Sequence, residues 1–305
     1  MTHAAPATQR TLKAPISCVG TGLHSGARVA MRLLPAPPGH GVVFRRTDLD
    51  AALPARFDLV AETRLCTVLA AGTVRVGTVE HLLAALAGLG IDNALVEVDG
   101  PELPILDGSA QPFVFLIDCA GTQEQEAPRA CIEVLRPVRV SDGAAWAELA
   151  PAAEGFTLDV SIDFPAPAIG RQAARHVMAE EAFRRDIAPA RTFALLEEVE
   201  GMRRAGLARG GSLDNALVVD GARILNPCGL RLPEEFARHK LLDAVGDLAL
   251  AGAPLRGRYA ANRPGHALNN RLLHALFAAP DAWRWQPPAA GAARMGASAP
   301  GAEAA

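Results

Sequence analysis

The sequence predicts an α+β protein of two similar domains, because strand-forming runs precede helical segments in both halves and a short motif recurs. The motif Asp-Asn-Ala-Leu-Val-Glu-Val-Asp-Gly at 92–100 returns one residue shorter at 214–221. Each copy follows a segment ending in glycine and precedes a proline-led segment and a further helix, as an internal duplication would produce. We predict domains at 1–126 and 127–286, with the boundary inside the polar stretch 121–128.

The first half reads as strands followed by two helices. Glycine and proline separate short apolar runs that predict strands at 16–19, 29–33, 42–44, 66–69 and 74–76. From Thr78 to Gly90 the apolar residues follow a helical period, with Thr78 placed to cap the helix and Gly90 to end it. A strand at 93–98 and a second helix at 108–120 complete this half.

The second half contains two further helices and then loses its periodicity. Pro233 stands at a first-turn position, two acidic residues follow it, and Gly252 ends the apolar pattern, so 233–252 predicts a helix. Another helix begins at His266, after a Pro-Gly turn. Residues 287–305 are rich in alanine, glycine and proline without any period, which predicts a disordered tail.

The composition limits the classes of protein to which the chain can belong. With 305 residues, 50% of them apolar, it is long enough to bury sizeable cores. Its apolar runs are far shorter than the roughly 18 residues of a membrane-spanning helix. A formal charge of −3 and an aromatic content of 5% argue against nucleic-acid binding. Five cysteines without a CxxC pair or a signal peptide indicate free thiols in the cytoplasm.

The helix at 233–252 carries a candidate metal site. His239, Asp243 and Asp247 recur every four residues and share one helix face, where an imidazole and a carboxylate one turn apart can reach the same cation. Catalytic zinc typically takes three nitrogen or oxygen ligands and keeps a position for water. A single His-x-x-x-Asp also occurs as an ordinary surface hydrogen bond, so a metal site requires a third ligand.

His81 is the candidate third ligand, because it opens the helix predicted at 78–90 and Glu80 stands beside it. A carboxylate next to a bound cation can take a proton from an activated water molecule. The alternative is that the acidic residue only complements the positive end of the helix dipole.

Two more residues are candidates for moving protons or stabilising charge. His266 opens the last helix and, as an imidazolium, can protonate a leaving group. Lys240 is one of only two lysines among the 30 basic residues, the other being Lys13. A compact ammonium beside a metal ligand has a tunable pKa that a guanidinium lacks, which favours a functional role for Lys240.

Seven short segments of the chain occur in the same order in a known enzyme family. They are residues 78–82, 84–93, 106–110, 190–193, 210–215, 238–247 and 265–270. In these segments the sequence resembles the zinc-dependent UDP-3-O-acyl-N-acetylglucosamine deacetylases of Gram-negative lipid A synthesis. The resemblance implies hydrolysis of the 2-acetamido group of a UDP-linked, 3-O-acylated glucosamine, which releases acetate and leaves an amine. It also implies α+β domains whose helices pack between two sheets.

The resemblance further implies roles for individual residues. The Zn²⁺ ligands of the family match His81, His239 and Asp243. Its general base matches Glu80, and its general acid matches His266. Lys240 matches an electrostatic partner of the oxyanion, and Asp247 a carboxylate that orients the general acid. Thr192 matches a hydroxyl near the tetrahedral centre.

The resemblance places the substrate contacts in two regions. The apolar residues of 193–219 match an inserted segment that holds the acyl chain, although an ordinary amphipathic helix would have the same pattern. Phe164 matches an aromatic residue at the uridine, and Arg263 a basic residue there, where the family more often has lysine. The expected substrate contacts are Phe164, Phe193, Arg263, Cys66, Met202 and Leu207.

Two other functions remain compatible with these residues. A hydrolase of the same architecture that acts on a different acylated amino sugar would bind zinc but turn over the UDP-sugar poorly. A non-catalytic protein that binds a nucleotide-sugar or an acyl chain would not need both Glu80 and His266, so their presence favours an enzyme. We expect a monomer with a small-molecule UDP-sugar substrate, no nucleic-acid partner and no transmembrane segment.

Overall fold

A computed structural model describes residues 8–286, and the tail predicted at 287–305 lies outside the described residues. The α+β class is confirmed, because helices and strands alternate along the described chain and the helices pack on the sheets. No helix within 8–286 combines the length and the apolar character needed to cross a membrane.

The first half contains most of its strands before its two helices. Its elements are β1 (Thr8–Leu12), β2 (Ile16–Thr21), β3 (Arg28–Pro35), β4 (Val42–Arg46), β5 (Ala51–Pro54), a 3₁₀ helix (Phe57–Leu59), β6 (Val60–Glu62), β7 (Val68–Ala71), β8 (Val74–Val76), α1 (Glu80–Gly88), β9 (Ala94–Val98), α2 (Gln111–Ala120) and β10 (Thr122–Pro128).

The second half repeats this plan with an insert between its fifth strand and its long helix. Its elements are β11 (Cys131–Val134), β12 (Val138–Asp142), β13 (Ala145–Ala150), β14 (Phe156–Asp163), β15 (Arg171–Val177), α3 (Glu180–Asp186), β16 (Phe193–Leu195), α4 (Leu196–Arg204), β17 (Leu217–Asp220), β18 (Arg223–Ile224), α5 (Glu235–Ala249), β19 (Leu255–Asn262), α6 (His266–Phe277) and β20 (Trp283–Gln286).

The two halves have the same strand order. The first sheet runs β2-β3-β9-β4-β5, and the second contains β12-β13-β19-β14-β15. In both sheets the central strand pairs parallel with the strand on one side and antiparallel with the strand on the other. In both halves a helix precedes the central strand and another follows it. This shared topology supports an internal duplication.

The motif that first indicated duplication does not mark equivalent strands. The copy at 92–100 forms β9, at the centre of the first sheet, whereas the copy at 214–221 forms β17, in the small sheet of the insert. The counterpart of β9 is β19, so the sequence match reflects a shared preference for alanine, leucine and valine rather than position in the fold.

The polar stretch at 121–128, expected to link the domains, is strand β10 and pairs antiparallel with β1. Its polar side chains take part in hydrogen bonds: Gln125 accepts one from Asn93 and donates one to the carbonyl of Ala36. A partly exposed two-stranded ribbon needs no apolar run, which is why composition alone indicated a linker. The domain bounds at 126 and 127 stay a prediction.

Each main sheet buries one face because apolar residues alternate along its strands. In the first sheet β3 buries Val29, Met31 and Leu33. In the second, β14 buries Leu158, Val160 and Ile162. Helix α5 packs on β14 and β15, α6 on β12 and β13, and α2 on β2. The helices therefore occupy the space between the buried faces of the sheets.

Helices α1 and α5 form the contact between the two halves that positions the functional site. Nearly every residue of α1 is buried, as is most of α5, which is typical of helices inside a core. At the closest approach Gly246 of α5 lies against the backbone of Glu80. A Cβ at position 246 would stand 2.0 Å from the Glu80 carbonyl oxygen, so only glycine fits.

We expect Gly246→Ala to lower the free energy of unfolding by about 3 kcal/mol or more, because the methyl group can be accommodated only if the two helices separate. Gly201→Ala is the matched control: this glycine also lies within a helix, but its added Cβ meets nothing within 4 Å. That variant should change stability by less than about 1 kcal/mol. Equal denaturation midpoints for both variants would contradict the role given to the contact.

Candidate metal centre

The first turn of α1 carries Glu80 and His81, and both side chains are buried. Thr78, predicted to cap this helix, does not do so. Its φ of 55° lies in the left-handed region, whereas a capping residue has extended backbone. The Thr78 hydroxyl instead donates a hydrogen bond of 3.0 Å to the carboxylate of Glu102.

Helix α5 supplies three more side chains on one face. His239, Asp243 and Asp247, spaced four residues apart, all lie within this helix, and all three are buried. The helix begins at Glu235 and ends at Ala249, slightly inside the predicted limits. Because α5 lies against α1, this face is directed towards Glu80 and His81.

The structure brings His81, His239 and Asp243 together. The Nε2 atoms of His81 and His239 lie 3.7 and 3.2 Å from Oδ1 of Asp243. One ligand atom from each residue lies within 4.8 Å of the other two. Zinc bonds of about 2.0–2.2 Å place ligand atoms roughly 3.3 Å apart in a tetrahedral site. The three residues thus surround a space that suits one divalent cation.

The protonation states of these residues suit metal binding. Burial and the neighbouring His239 lower the pKa of His81 to about 3, and burial also lowers the pKa of His239, so both imidazoles are neutral at pH 7. Nδ1 of His239 lies 3.1 Å from the carbonyl oxygen of Ala190, which assigns the ring proton to Nδ1 and leaves the Nε2 lone pair free. Two neutral imidazoles and a carboxylate are a typical zinc donor set.

Lys240 is placed beside this donor set rather than in solvent. Its Nζ donates a 2.8 Å hydrogen bond to Oδ2 of Asp243, the carboxylate oxygen opposite the one that faces the histidines. Burial alone would lower the pKa of Lys240, but the Asp243 carboxylate raises it above the usual value. The ammonium therefore stays charged and also lies 5.5 Å from the centre of the Phe193 ring.

Glu80 lies beside the candidate metal ligands and is 2% exposed. Its Oε2 accepts a 3.0 Å hydrogen bond from the backbone N–H of Thr67. Burial raises the pKa of Glu80 to about 7, with Asp247 adding to the effect and His266 opposing it. A carboxylate with this pKa can both accept and release a proton near neutral pH.

His266 stands on the other side of Glu80, at the first position of α6. Its Nε2 lies 4.0 Å from Oε1 of Glu80, and its Nδ1 lies 2.9 Å from Oδ2 of Asp247. Burial alone would lower the pKa of His266, but the carboxylates of Asp247, Glu80 and Asp243 outweigh it and raise the pKa to about 10. His266 is therefore an imidazolium whose Nε2–H faces Glu80.

Several residues that hold the site were not identified from the sequence. The Asp247 carboxylate accepts hydrogen bonds from the Thr67 hydroxyl at 2.6 Å and from Asn269 Nδ2 at 2.8 Å. Tyr259 in turn donates a 2.6 Å bond to Asn269 Oδ1. The only signal in the sequence is that Thr67 follows Cys66 and Asn269 follows His266 by one helical turn, and neither spacing indicates a contact.

A buried ion pair holds the loop that contains Thr192. Arg191 and Glu235, 6% and 0% exposed, share two hydrogen bonds of 2.8 and 3.1 Å, and the backbone N–H of Arg191 also donates to Glu235. Ala190, whose carbonyl oxygen faces His239, immediately precedes Arg191 in the chain. Thr192 is itself half-buried and its N–H donates to the carbonyl of Gly108.

Phe164 and Phe193 lie side by side next to Lys240. Their ring centres are 5.4 Å apart, and both line a cavity of about 170 Å³ together with Lys240 and Leu195. Arg263 is exposed and its guanidinium donates a 2.7 Å hydrogen bond to Asp163, the residue before Phe164.

The remaining expected substrate contacts lie in different surroundings. Cys66 is buried, and its burial raises the pKa of the thiol to about 12, with Glu80 contributing. Met202 lies on the amphipathic helix α4 and Leu207 follows that helix, and both are partly exposed. Neither lines the cavity beside Lys240.

The chain is similar to known proteins over most of its length. The family model "LpxC: UDP-3-O-acyl N-acetylglycosamine deacetylase" matches residues 9–278. A UDP-3-O-acyl-N-acetylglucosamine deacetylase of Anaeromyxobacter sp. is 53% identical over 276 residues, covering 90% of each chain. The protein of that name from Shewanella frigidimarina is 51% identical over 281 residues, which cover 90% of this chain and 91% of the relative. The one from Acidithiobacillus ferrooxidans is also 51% identical over 281 residues, which cover 91% of this chain and 92% of the relative. The chain therefore belongs to the UDP-3-O-acyl N-acetylglycosamine deacetylase family.

Proposed function

We propose that this protein is a zinc-dependent amidohydrolase that removes the N-acetyl group of UDP-3-O-acyl-N-acetylglucosamine in lipid A biosynthesis. The products are acetate and UDP-3-O-acyl-glucosamine. The observation that carries the proposal is the grouping of His81, His239 and Asp243 with Glu80 and His266 beside them. Metal analysis followed by an acetate-release assay on the UDP-sugar tests it.

The three ligands would hold one Zn²⁺, because the site offers neutral nitrogen donors and a single carboxylate in a space that suits this ion. A bound Zn²⁺ acts as a Lewis acid on the amide carbonyl and lowers the pKa of a water molecule at the site to about 7. Lys240 would keep Asp243 ionised and add a positive charge next to the oxygen that becomes negative.

Glu80 is the general base of the proposed reaction. It takes one proton from the attacking water, whose hydroxyl then bonds to the acetyl carbon. The hydrogen bond from the Thr67 N–H directs one carboxylate oxygen away from the reaction, so Oε1 is the oxygen that faces the candidate acid His266.

His266 is the general acid. Amide hydrolysis breaks the carbon–nitrogen bond, and the departing amine is a poor leaving group until its nitrogen receives a proton. The Nδ1–H of His266 is held by Asp247, so the Nε2–H is the proton available for transfer. The reaction thus moves a proton from water to Glu80 and a second proton from His266 to the sugar nitrogen.

The substrate would approach along the cavity lined by Phe164 and Phe193. These rings offer a flat apolar surface next to Lys240, and the Thr192 hydroxyl would contribute a hydrogen bond near the tetrahedral centre. Arg263 would need to exchange its ion pair with Asp163 for the nucleotide phosphates or base. Cys66 is proposed to contact the substrate. Met202 and Leu207 are proposed to contact the acyl chain, which requires that the insert at 193–219 bind this chain.

We further propose that the protein acts in the cytoplasm as a monomer. The absence of a spanning helix in the described part of the chain and the free cysteines are compatible with that location.

Replacing a ligand should remove the metal. We expect His239→Ala and Asp243→Ala to lower the zinc content, measured by elemental analysis, well below the about one ion per chain expected of the intact site. His274→Ala is the control, because His274 is an exposed histidine in α6. Unchanged zinc in the first two variants would contradict the ligand assignment.

Glu80→Gln should keep the metal but lower kcat by about 10²–10⁴-fold, because the amide cannot accept the proton from water. The measurement is acetate release at saturating substrate, with zinc content recorded on the same sample. Glu181→Gln, at an exposed residue of α3, serves as the control. Undiminished turnover by Glu80→Gln would remove this residue from the mechanism.

The pH dependence should be bell-shaped. Glu80 must be ionised, so kcat/KM rises as pH rises through a pKa at or below about 7. His266 must be protonated, so kcat/KM falls as pH rises through a pKa at or below about 10. Both values are upper limits, because a bound cation favours the less protonated form of each group. Because the two groups interact, each limb of the profile belongs to the pair and not to one residue. A kcat/KM that does not fall between neutral pH and about pH 11 would contradict acid catalysis by His266.

A further inference from the structure

Four residues around the candidate metal centre form a closed ring of contacts. Glu80 Oε2 accepts the backbone N–H of Thr67, and the Thr67 hydroxyl donates to Asp247 Oδ1. Asp247 Oδ2 accepts from His266 Nδ1, and His266 Nε2 faces Glu80 Oε1 at 4.0 Å. Thr67 is the member of this ring with no titratable group, and it contacts both carboxylates.

Thr67 is well placed to hold these carboxylates at a fixed separation. It is 2% exposed and immediately precedes strand β7, so its backbone belongs to the first half of the molecule. Its carbonyl oxygen also accepts the N–H of Val79, the residue before α1, at 3.5 Å. The side-chain bond to Asp247, at 2.6 Å, is made to helix α5 of the second half.

The remaining donors to Asp247 all come from the second half. His266 and Asn269 lie on α6, and Tyr259 on β19 fixes the orientation of Asn269 by donating to its Oδ1. Without the Thr67 hydroxyl, Oδ1 of Asp247 would lose its short hydrogen bond, and the carboxylate would be free to rotate out of its hydrogen bond with His266 Nδ1. A buried carboxylate with an unsatisfied oxygen is unfavourable and tends to rearrange.

We propose that Thr67 is a positioning residue that sets the distance between the general base Glu80 and the carboxylate that orients the general acid His266. It acts through two separate groups, its backbone N–H on the base and its hydroxyl on Asp247. The inference rests on the proposed function for the roles of Glu80 and His266, but the contacts of Thr67 do not depend on it.

The test compares Thr67→Val, Thr67→Ser and the control Thr11→Val. Valine keeps the shape of threonine without the hydroxyl, and serine restores the hydroxyl. Thr11 is a buried threonine (4% exposed) whose hydroxyl donates to the carbonyl of Asn93 and accepts from the N–H of Ala36, so its loss also removes two buried hydrogen bonds.

For Thr67→Val we expect kcat to fall about 10- to 100-fold, the range typical of residues that orient catalytic groups through hydrogen bonds. KM and zinc content should stay within about twofold, because the ligands and the substrate surface are unchanged. Thr67→Ser should recover kcat to within about threefold, and Thr11→Val should retain full activity. Wild-type kcat in Thr67→Val, or equal impairment of the serine and valine variants, would overturn the proposal.

A second readout is independent of turnover. In zinc-loaded protein with ¹⁵N-labelled histidine, the Nδ1–H resonance of His266 reports its hydrogen bond to Asp247. We expect this resonance to move in Thr67→Val and to stay in place in Thr67→Ser and Thr11→Val. An unmoved resonance in Thr67→Val would overturn the positioning role. If the wild-type protein released no acetate from the UDP-sugar, the proposed function would fail while this spectrum still decided the role of Thr67.

Discussion

The backbone contact between helices α1 and α5 is the constraint on which the site depends. Gly246 permits α5 to touch the Glu80 carbonyl, where any side chain would force the helices apart. This distance places His81, from the first half, within ligand range of His239 and Asp243, from the second. A candidate metal site shared by the two halves tolerates little movement between them, because its ligand atoms would have to surround one ion.

The electrostatics of the site explain why so many polar residues surround it. Burying ionised groups is costly unless each has a partner. Asp243 has Lys240, and Asp247 has three donors. Among residues 8–286, Glu80 has only the Thr67 N–H and a more distant imidazolium as partners, and burial raises its pKa to about 7. The residue with the weakest compensation is thus the one proposed to exchange a proton with water.

Several residues with left-handed backbone conformation lie close in sequence to the segments that form the site. Four non-glycine residues with positive φ precede the segments that converge there, namely Leu65, Thr78, Glu234 and Arg263. Such conformations persist only where surrounding contacts hold them. For Thr78 this contact is a hydrogen bond that its hydroxyl donates to the Glu102 carboxylate. The same carboxylate also accepts hydrogen bonds from the backbone N–H groups of His24 and Ser25. The turn that introduces Glu80 is therefore held by a loop distant in sequence.

The sequence by itself determined the α+β class, the helix at 233–252 and the face that carries His239 and Asp243, because these follow from local periodicity. Together with family resemblance it also identified His81, Glu80 and His266. Only the tertiary structure decided that β19, not the strand at 217–220, is the counterpart of β9, and that Thr67, Tyr259 and Asn269 support Asp247. Strand pairing and long-range hydrogen bonds, such as the one between Thr67 and Asp247, 180 positions apart, arise from packing, and no local pattern in the chain encodes them.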